Sequence, residues 1–152
     1  MTPAADHFCV FEFATEFFAV SAKQIREIRS KPNFALVPGV AHVLAGLWHE
    51  GSEFVPVLRL PISHSATTPS ESQMAVIHGA SGRWALLVDQ VHNIEEIECS
   101  QGGVGIDNAE TFVMGMSTWK GHSVRVLSLD AIYRSAEASL RQDWANHFAN
   151  LA

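Results

Sequence analysis

The chain has 152 residues, 47% of them hydrophobic and only 17% charged. That is room for one ordinary domain or two small ones, with a core that needs no disulfide or metal staple. A net charge of −6, with no cluster of Lys and Arg beyond residue 31, excludes a phosphate-tracking nucleic-acid binder and a polybasic lipid binder.

Strands dominate in chain order. Phe8 to Phe13 is β-branched or aromatic at nearly every position, and Ala14-Thr15-Glu16 turns it into Phe17 to Val20. Ser21 or Ala22 opens a single helical turn before Ile25 to Arg29 resumes extended structure. Pro32 and Pro38-Gly39 mark a loop. His42 to His49 reads as a strand, Glu50-Gly51-Ser52 as a tight turn, and Glu53 to Leu60 as its hairpin partner. The Ser/Thr-rich stretch after Pro61 is a linker. Gln73 to Gly79 and Arg83 to Asp89 then pair across Ala80-Ser81-Gly82, followed by Val91 to Glu98. After a Gly-rich loop over Ser100 to Glu110, Thr111 to Ser117 and Ser123 to Leu129 pair around Lys120-Gly121. Runs such as Ala85-Leu86-Leu87-Val88 are apolar on both faces, as in small barrels packed together. The tail changes period: Asp130 is the expected N-cap, and Ile132, Ala136, Leu140, Trp144 and Phe148 recur every four residues along a helix.

The chain also repeats itself once. Cys9 to Ile28 lies over Ala75 to Ile94 at a constant offset of 66, with identities at Val10/Val76, Ala14/Ala80, Ala19/Ala85, Gln24/Gln90 and Ile28/Ile94. Gly46, Val55, Val57, Leu58 and Leu60 are matched by Gly115, Val124, Val126, Leu127 and Leu129 at offset 69. Two copies are too few for a solenoid, so the reading is two similar β units. The expected fold class is mainly β, two pseudo-repeated five-stranded barrels followed by a C-terminal helix. The expected domain runs over 7–134, as subdomain 1 (about 7–60), a linker (61–72) and subdomain 2 (about 73–130), with the helix over 131–152.

No active site emerges from the residues. Eight histidines stand at 7, 42, 49, 64, 78, 92, 122 and 147, none in the i, i+4 arrangement of a zinc-binding helix and none beside a cysteine pair. Cys9 and Cys99 lack disulfide-framework spacing, and Cys9 reads as a small buried hydrophobe. Glu96 and Glu98 share a strand face but read as a solvated rim. Gly102-Gly103-Val104-Gly105 lacks the Lys and Ser/Thr of a phosphate loop. The pattern therefore implies no enzyme, no cofactor and no metal. No signal-peptide pattern opens the chain and no run reaches the ~18 apolar residues of a membrane span, so a cytoplasmic protein without direct membrane insertion is expected.

Six segments, in register, resemble the CheW family of bacterial chemosensory adaptors. Ile25-Arg26-Glu27-Ile28-Arg29 follows an apolar first hairpin and is similar to the family's V-x-E-I-R. A Pro-containing loop precedes Gly46-Leu47-Trp48. Phe54-Val55-Pro56-Val57-Leu58-Arg59-Leu60 resembles I-V-P-V-I-D-L, and Ala85-Leu86-Leu87-Val88-Asp89-Gln90-Val91 resembles G-L-L-V-D-x-V. Phe112-Val113-Met114-Gly115 and Val124 to Asp130 resemble the family's last hairpin. The resemblance implies two SH3-like barrels and a non-enzymatic adaptor that couples chemoreceptors to a CheA-type histidine kinase. Its protein partners would be that kinase, a chemoreceptor cytoplasmic domain or another pathway component, met in the cytoplasm or at a membrane-associated receptor array. It also implies partner-binding roles for Ile25, Glu27, Arg29, Gly46, Leu47 and Trp48, with Asp89 and Val91 as second-barrel counterparts near a cleft between the barrels. Trp48 is either a core plug or an exposed hot spot.

Three positions depart from the family pattern. Gly51 stands where the turn usually carries Arg, Arg59 stands at the usual Asp, and Pro61 stands at the Arg that follows. Rim charges set partner choice more than fold. These departures motivate a second reading, a CheW-like module repurposed for another partner, such as a pilus-linked or localisation system. A third is a ligand sensor or enzyme using the inter-barrel cleft.

Overall fold

A computed structural model describes residues 7–35, 43–60, 72–80, 82–96 and 112–151, without the side chains of 143, 144 and 146–151. The elements are β1 (His7–Phe13), β2 (Glu16–Ser21), a single 3-10 turn (Ala22–Gln24), β3 (Ile25–Ser30), β4 (Leu44–Glu50), β5 (Glu53–Leu58), β6 (Gln73–Gly79), β7 (Gly82–Val88), β8 (Gln90–Glu96), β9 (Val113–Trp119), β10 (His122–Leu127) and α1 (Leu129–Leu151). Every expected strand is present, shifted by a residue or two at its ends. The linker up to residue 71 and the whole Gly-rich loop lie outside the described residues.

The strands form two five-stranded sheets, in the orders β8-β1-β2-β10-β9 and β3-β6-β7-β5-β4. Here the expectation of two contiguous subdomains is corrected. Each sheet takes its central hairpin from one half of the chain and its other three strands from the other half. The cause lies in the pairings: β2 runs parallel to β10 and β5 runs parallel to β7, so each hairpin is completed by strands distant in sequence.

The double-sided apolar runs now have a physical account. Along β1, Cys9, Phe11 and Phe13 join one core while Phe8 and Val10 join another. Along β7, Trp84, Leu86 and Val88 join that same first core, and Ala85 and Leu87 a third. The first core is shared by both sheets and by Ile132 and Ala136 of α1. Each remaining core fills the concave side of one sheet. The strand period of two thus sends alternate residues into different cores. It also corrects the expected cleft, because the space between the sheets is packed with Phe11, Phe18, Ile77, Trp84 and Leu86.

The helix starts earlier than expected, and its cap is Ser128 in place of Asp130. The Ser128 Oγ accepts from the Ala131 amide at 3.2 Å, and its carbonyl accepts from Ile132 at 3.0 Å. Asp130 instead accepts from the Gln24 side-chain amide at 3.3 Å. Of the expected apolar stripe, Ile132 and Ala136 are buried and Leu140 is half-buried.

The β1–β2 turn carries Ala14 and Thr15 at φ 54° and 66°, a conformation that disfavours a β-branched residue by about 1–2 kcal/mol. Thr15→Gly removes that strain but loosens the unfolded chain by up to ~1 kcal/mol. The variant is expected to melt a few degrees higher, at about 2–4 °C per kcal/mol for a chain of this size. An unchanged or lower melting temperature would contradict the strain.

Cys9 is 1% exposed, and burial pushes its thiol from 9.0 up to about 11. Because the folded value lies above the unfolded one, folding favours the protonated thiol. This contribution to stability is complete below pH 9.0 and is lost as pH rises towards 11. The native thiol should therefore resist a thiolate-specific reagent in mildly alkaline buffer and react fully once denatured. Rapid native labelling would contradict this environment.

Candidate functional site

Two opposite edges of one sheet come together to make the site. β3 and β4 are the outermost strands of their sheet, yet the Arg29 guanidinium of β3 lies 4.6 Å from the centroid of the Trp48 ring of β4. It also stands 3.6 Å from a Glu50 carboxylate oxygen and 3.9 Å from Glu27. Just past β3, Ala35 exchanges backbone hydrogen bonds with Leu47 at 2.9 and 2.8 Å. The sheet therefore curls until its edges meet, and the meeting line carries a charged cluster. Arg83 of β7 completes it by donating to Glu50.

The other sheet closes at equivalent positions. Glu95, the repeat-mate of Arg29 at offset 66, accepts from the indole of Trp119, the repeat-mate of Glu50 at offset 69. Trp119 and its neighbour His92 lie with ring centroids 5.2 Å apart, and His92 reaches Glu12 at 3.2 Å. One seam is thus built of ion pairs and the other of an indole–carboxylate bond. The two ends of the molecule have similar backbones and different chemistry.

The expected site residues divide accordingly. Glu27 is exposed, Arg29 and Leu47 are half-buried, and Ile25 packs against the shared core. Gly46 is buried because a Cβ there would meet the Phe34 ring and stand 2.5 Å from the Ala35 carbonyl. Trp48 is 6% exposed, enclosed by Ala45, Val55, Val57, Met74, Val76, Ala85 and Leu87. It is the core plug, and its outer ring face serves Arg29. Asp89 and Val91 are not brought to this seam. Asp89 holds the β1–β2 turn, its Oδ2 accepting from the Ala14 amide at 2.9 Å while its own amide donates to Glu12 at 3.0 Å. Val91 packs against the shared core and donates its amide to Gln73 Oε1 at 2.6 Å.

Glu50 and Arg83 were missed from sequence, Glu50 because it opens a turn and Arg83 because it begins an otherwise apolar strand. The pairs around Arg29 have side chains about 36–45% exposed, so each contributes at most ~1 kcal/mol to stability. Four large apolar side chains are exposed among the described residues. Phe54 is 63% exposed and stacks on His49 at 4.7 Å near this seam, while Ile94, Met114 and Met116 are exposed on the other sheet.

Among the described residues no three His, Cys, Asp or Glu side chains gather as metal ligands, and no helix is long and apolar enough to cross a membrane.

A strand-exchanged pair of five-stranded sheets, with one C-terminal helix on the shared core, defines the class: the CheW-like domain model matches residues 7–137, and the chain belongs to that family, one of non-enzymatic chemotaxis scaffolds. Among solved structures, the scaffolding protein TtCheW from Thermoanaerobacter tengcongensis is similar, with a TM-score of 0.69, over 84% of this chain and 87% of that one, at 16% identity. At that identity the likeness concerns the fold. A comparison with curated proteins finds no match.

Proposed function

We propose that the chain is a cytoplasmic, non-enzymatic adaptor that couples chemoreceptors to a CheA-type histidine kinase at a receptor array. The observation that carries this reading is family membership over residues 7–137. The architecture supports it, because a single core shared by both sheets makes a rigid platform able to fix the spacing of two partners. The mechanism is geometric. Glu27, Arg29, Glu50 and Arg83 present an ordered set of charges, and Phe54 stands ready as an apolar contact.

Charge reversal at Glu27, an exposed strand residue, tests the face directly. Glu27→Arg should slow association with the kinase's CheW-like regulatory domain by about tenfold at low salt and, through loss of the pair with Arg29, lower the melting temperature by no more than a few degrees. Unchanged kinetics would remove this face from the kinase interface.

A second reading, adaptor activity towards a different partner, draws on Gly51 and Arg59. Gly51 sits at φ +62° with nothing within 4 Å of where a Cβ would stand, so the turn offers no side chain to a partner. The double substitution Gly51→Arg, Arg59→Asp restores the family's charges, at a cost of ~1 kcal/mol for a side chain at that φ. If the parent chain does not bind the kinase domain and the folded double variant does, only the rim has drifted. Continued absence of binding would show a more widely rebuilt surface.

A further inference from the structure

The internal repeat exposes a place where one half supplies a carboxylate and the other does not. In the first half, the Ala14 amide at the tip of the β1–β2 hairpin is satisfied by the carboxylate of Asp89 at 2.9 Å. The equivalent tip is Ala80, at offset 66, framed by the pair Gly79↔Gly82 as Ala14 is framed by Phe13↔Glu16. The residue equivalent to Asp89 is Lys23, which has no carboxylate to offer. Among the described residues the Ala80 amide finds no acceptor.

A pocket of about 130 Å³ opens at this tip, lined by Ala80, Trp84, Asp130, Tyr133 and Arg134. Two more donors border it. Trp84 is 1% exposed, and its indole Nε1, placed beside Gly79, has no acceptor among the described residues. Arg134 makes no ion pair among the described residues, although Asp130 lies one helical turn before it. Asp130 is instead turned towards Gln24.

Three N–H donors around a pocket with an aromatic floor fit an anion with a short apolar stem. The Asp130 carboxylate at the rim disfavours a second negative charge, which selects a monocarboxylate over a phosphate. The volume lies well below the ~300–1,000 Å³ of ordinary metabolite sites and suits one side chain. We propose that this pocket receives the carboxylate of a single Asp or Glu side chain from a bound partner protein. The partner's role rests on the scaffold reading above, whereas the pocket's preference for carboxylate does not.

Propionate, which reproduces the glutamate side chain, tests the site on the whole chain by amide and indole NMR. The Ala80 amide and Trp84 indole signals should move saturably, with a dissociation constant on the order of millimolar, as befits a fragment held by a few hydrogen bonds. Sodium chloride at equal ionic strength should not move them. Arg134→Gln should weaken binding by about tenfold or more through loss of a charge-assisted bond. Arg141→Gln, on the same helix and already paired with Glu137, should titrate like the parent. Equal movement with chloride, or an Arg134→Gln variant that binds as the parent does, would overturn the site. Micromolar binding of propionate would overturn the partner side chain in favour of a small acid. None of these outcomes depends on whether the kinase domain binds, so this site and the scaffold reading fail separately.

Discussion

Trp48→Ala is expected to destabilise the protein by about 3–5 kcal/mol, the range for deleting a large aromatic from a packed core. For a chain of this size that lowers the melting temperature by roughly 6–20 °C. The ring is buried among seven apolar neighbours on the concave side of its sheet and supports Arg29 from below. Its loss should both open a cavity and release the guanidinium from the seam. Trp48→Phe, which keeps a ring over part of that area, should cost much less. Were Trp48 a surface hot spot, the alanine variant would lose partner binding with its melting temperature unmoved, and the calorimetric trace would show it.

Gly46→Ala should be almost as damaging, at about 2–3 kcal/mol, for the opposite reason of overpacking. The added Cβ would press on the Phe34 ring and stand 2.5 Å from the Ala35 carbonyl. A ring can rotate away. The carbonyl cannot, because it accepts the Leu47 amide that joins the two edges of the sheet. Hydrogen exchange should report the damage locally, with Leu47 and Ala35 losing protection before the strands of the other sheet. Uniform loss across both sheets would mean that the bridge is not where the strain falls.

Much of the fold was legible because strand signals are local. The alternation along Phe8–Phe13, the turn residues at Gly51 and Gly121 and the double-sided run Ala85–Val88 each specify their own segment. The family's motif segments added the order of those strands. The exchange of hairpins between halves was not legible, since it depends on which strand pairs with β2 and β5. A repeat in sequence looks the same whether each half folds on itself or on the other.

The site was legible only in part, and for similar reasons. Glu27 and Arg29 are readable from alternation with Ile28, but that Arg29 folds over Trp48 follows from the curl of the sheet. Asp89 matches a family motif, yet its carboxylate is used on the Ala14 amide, a contact across 75 residues. Sequence does not separate Ser128 from Asp130 as the helix cap, because both are good caps and only the tertiary contact with Gln24 decides between them. Side chains beside an internal seam were invisible until the seam existed.

Whether this family member still works as a kinase-coupling adaptor is decided by calorimetric titration against the CheW-like regulatory domain of the CheA-type kinase from the same organism. Saturable binding with a micromolar or tighter dissociation constant is expected. No detectable heat at any temperature, with the chain shown to be folded, would contradict that role.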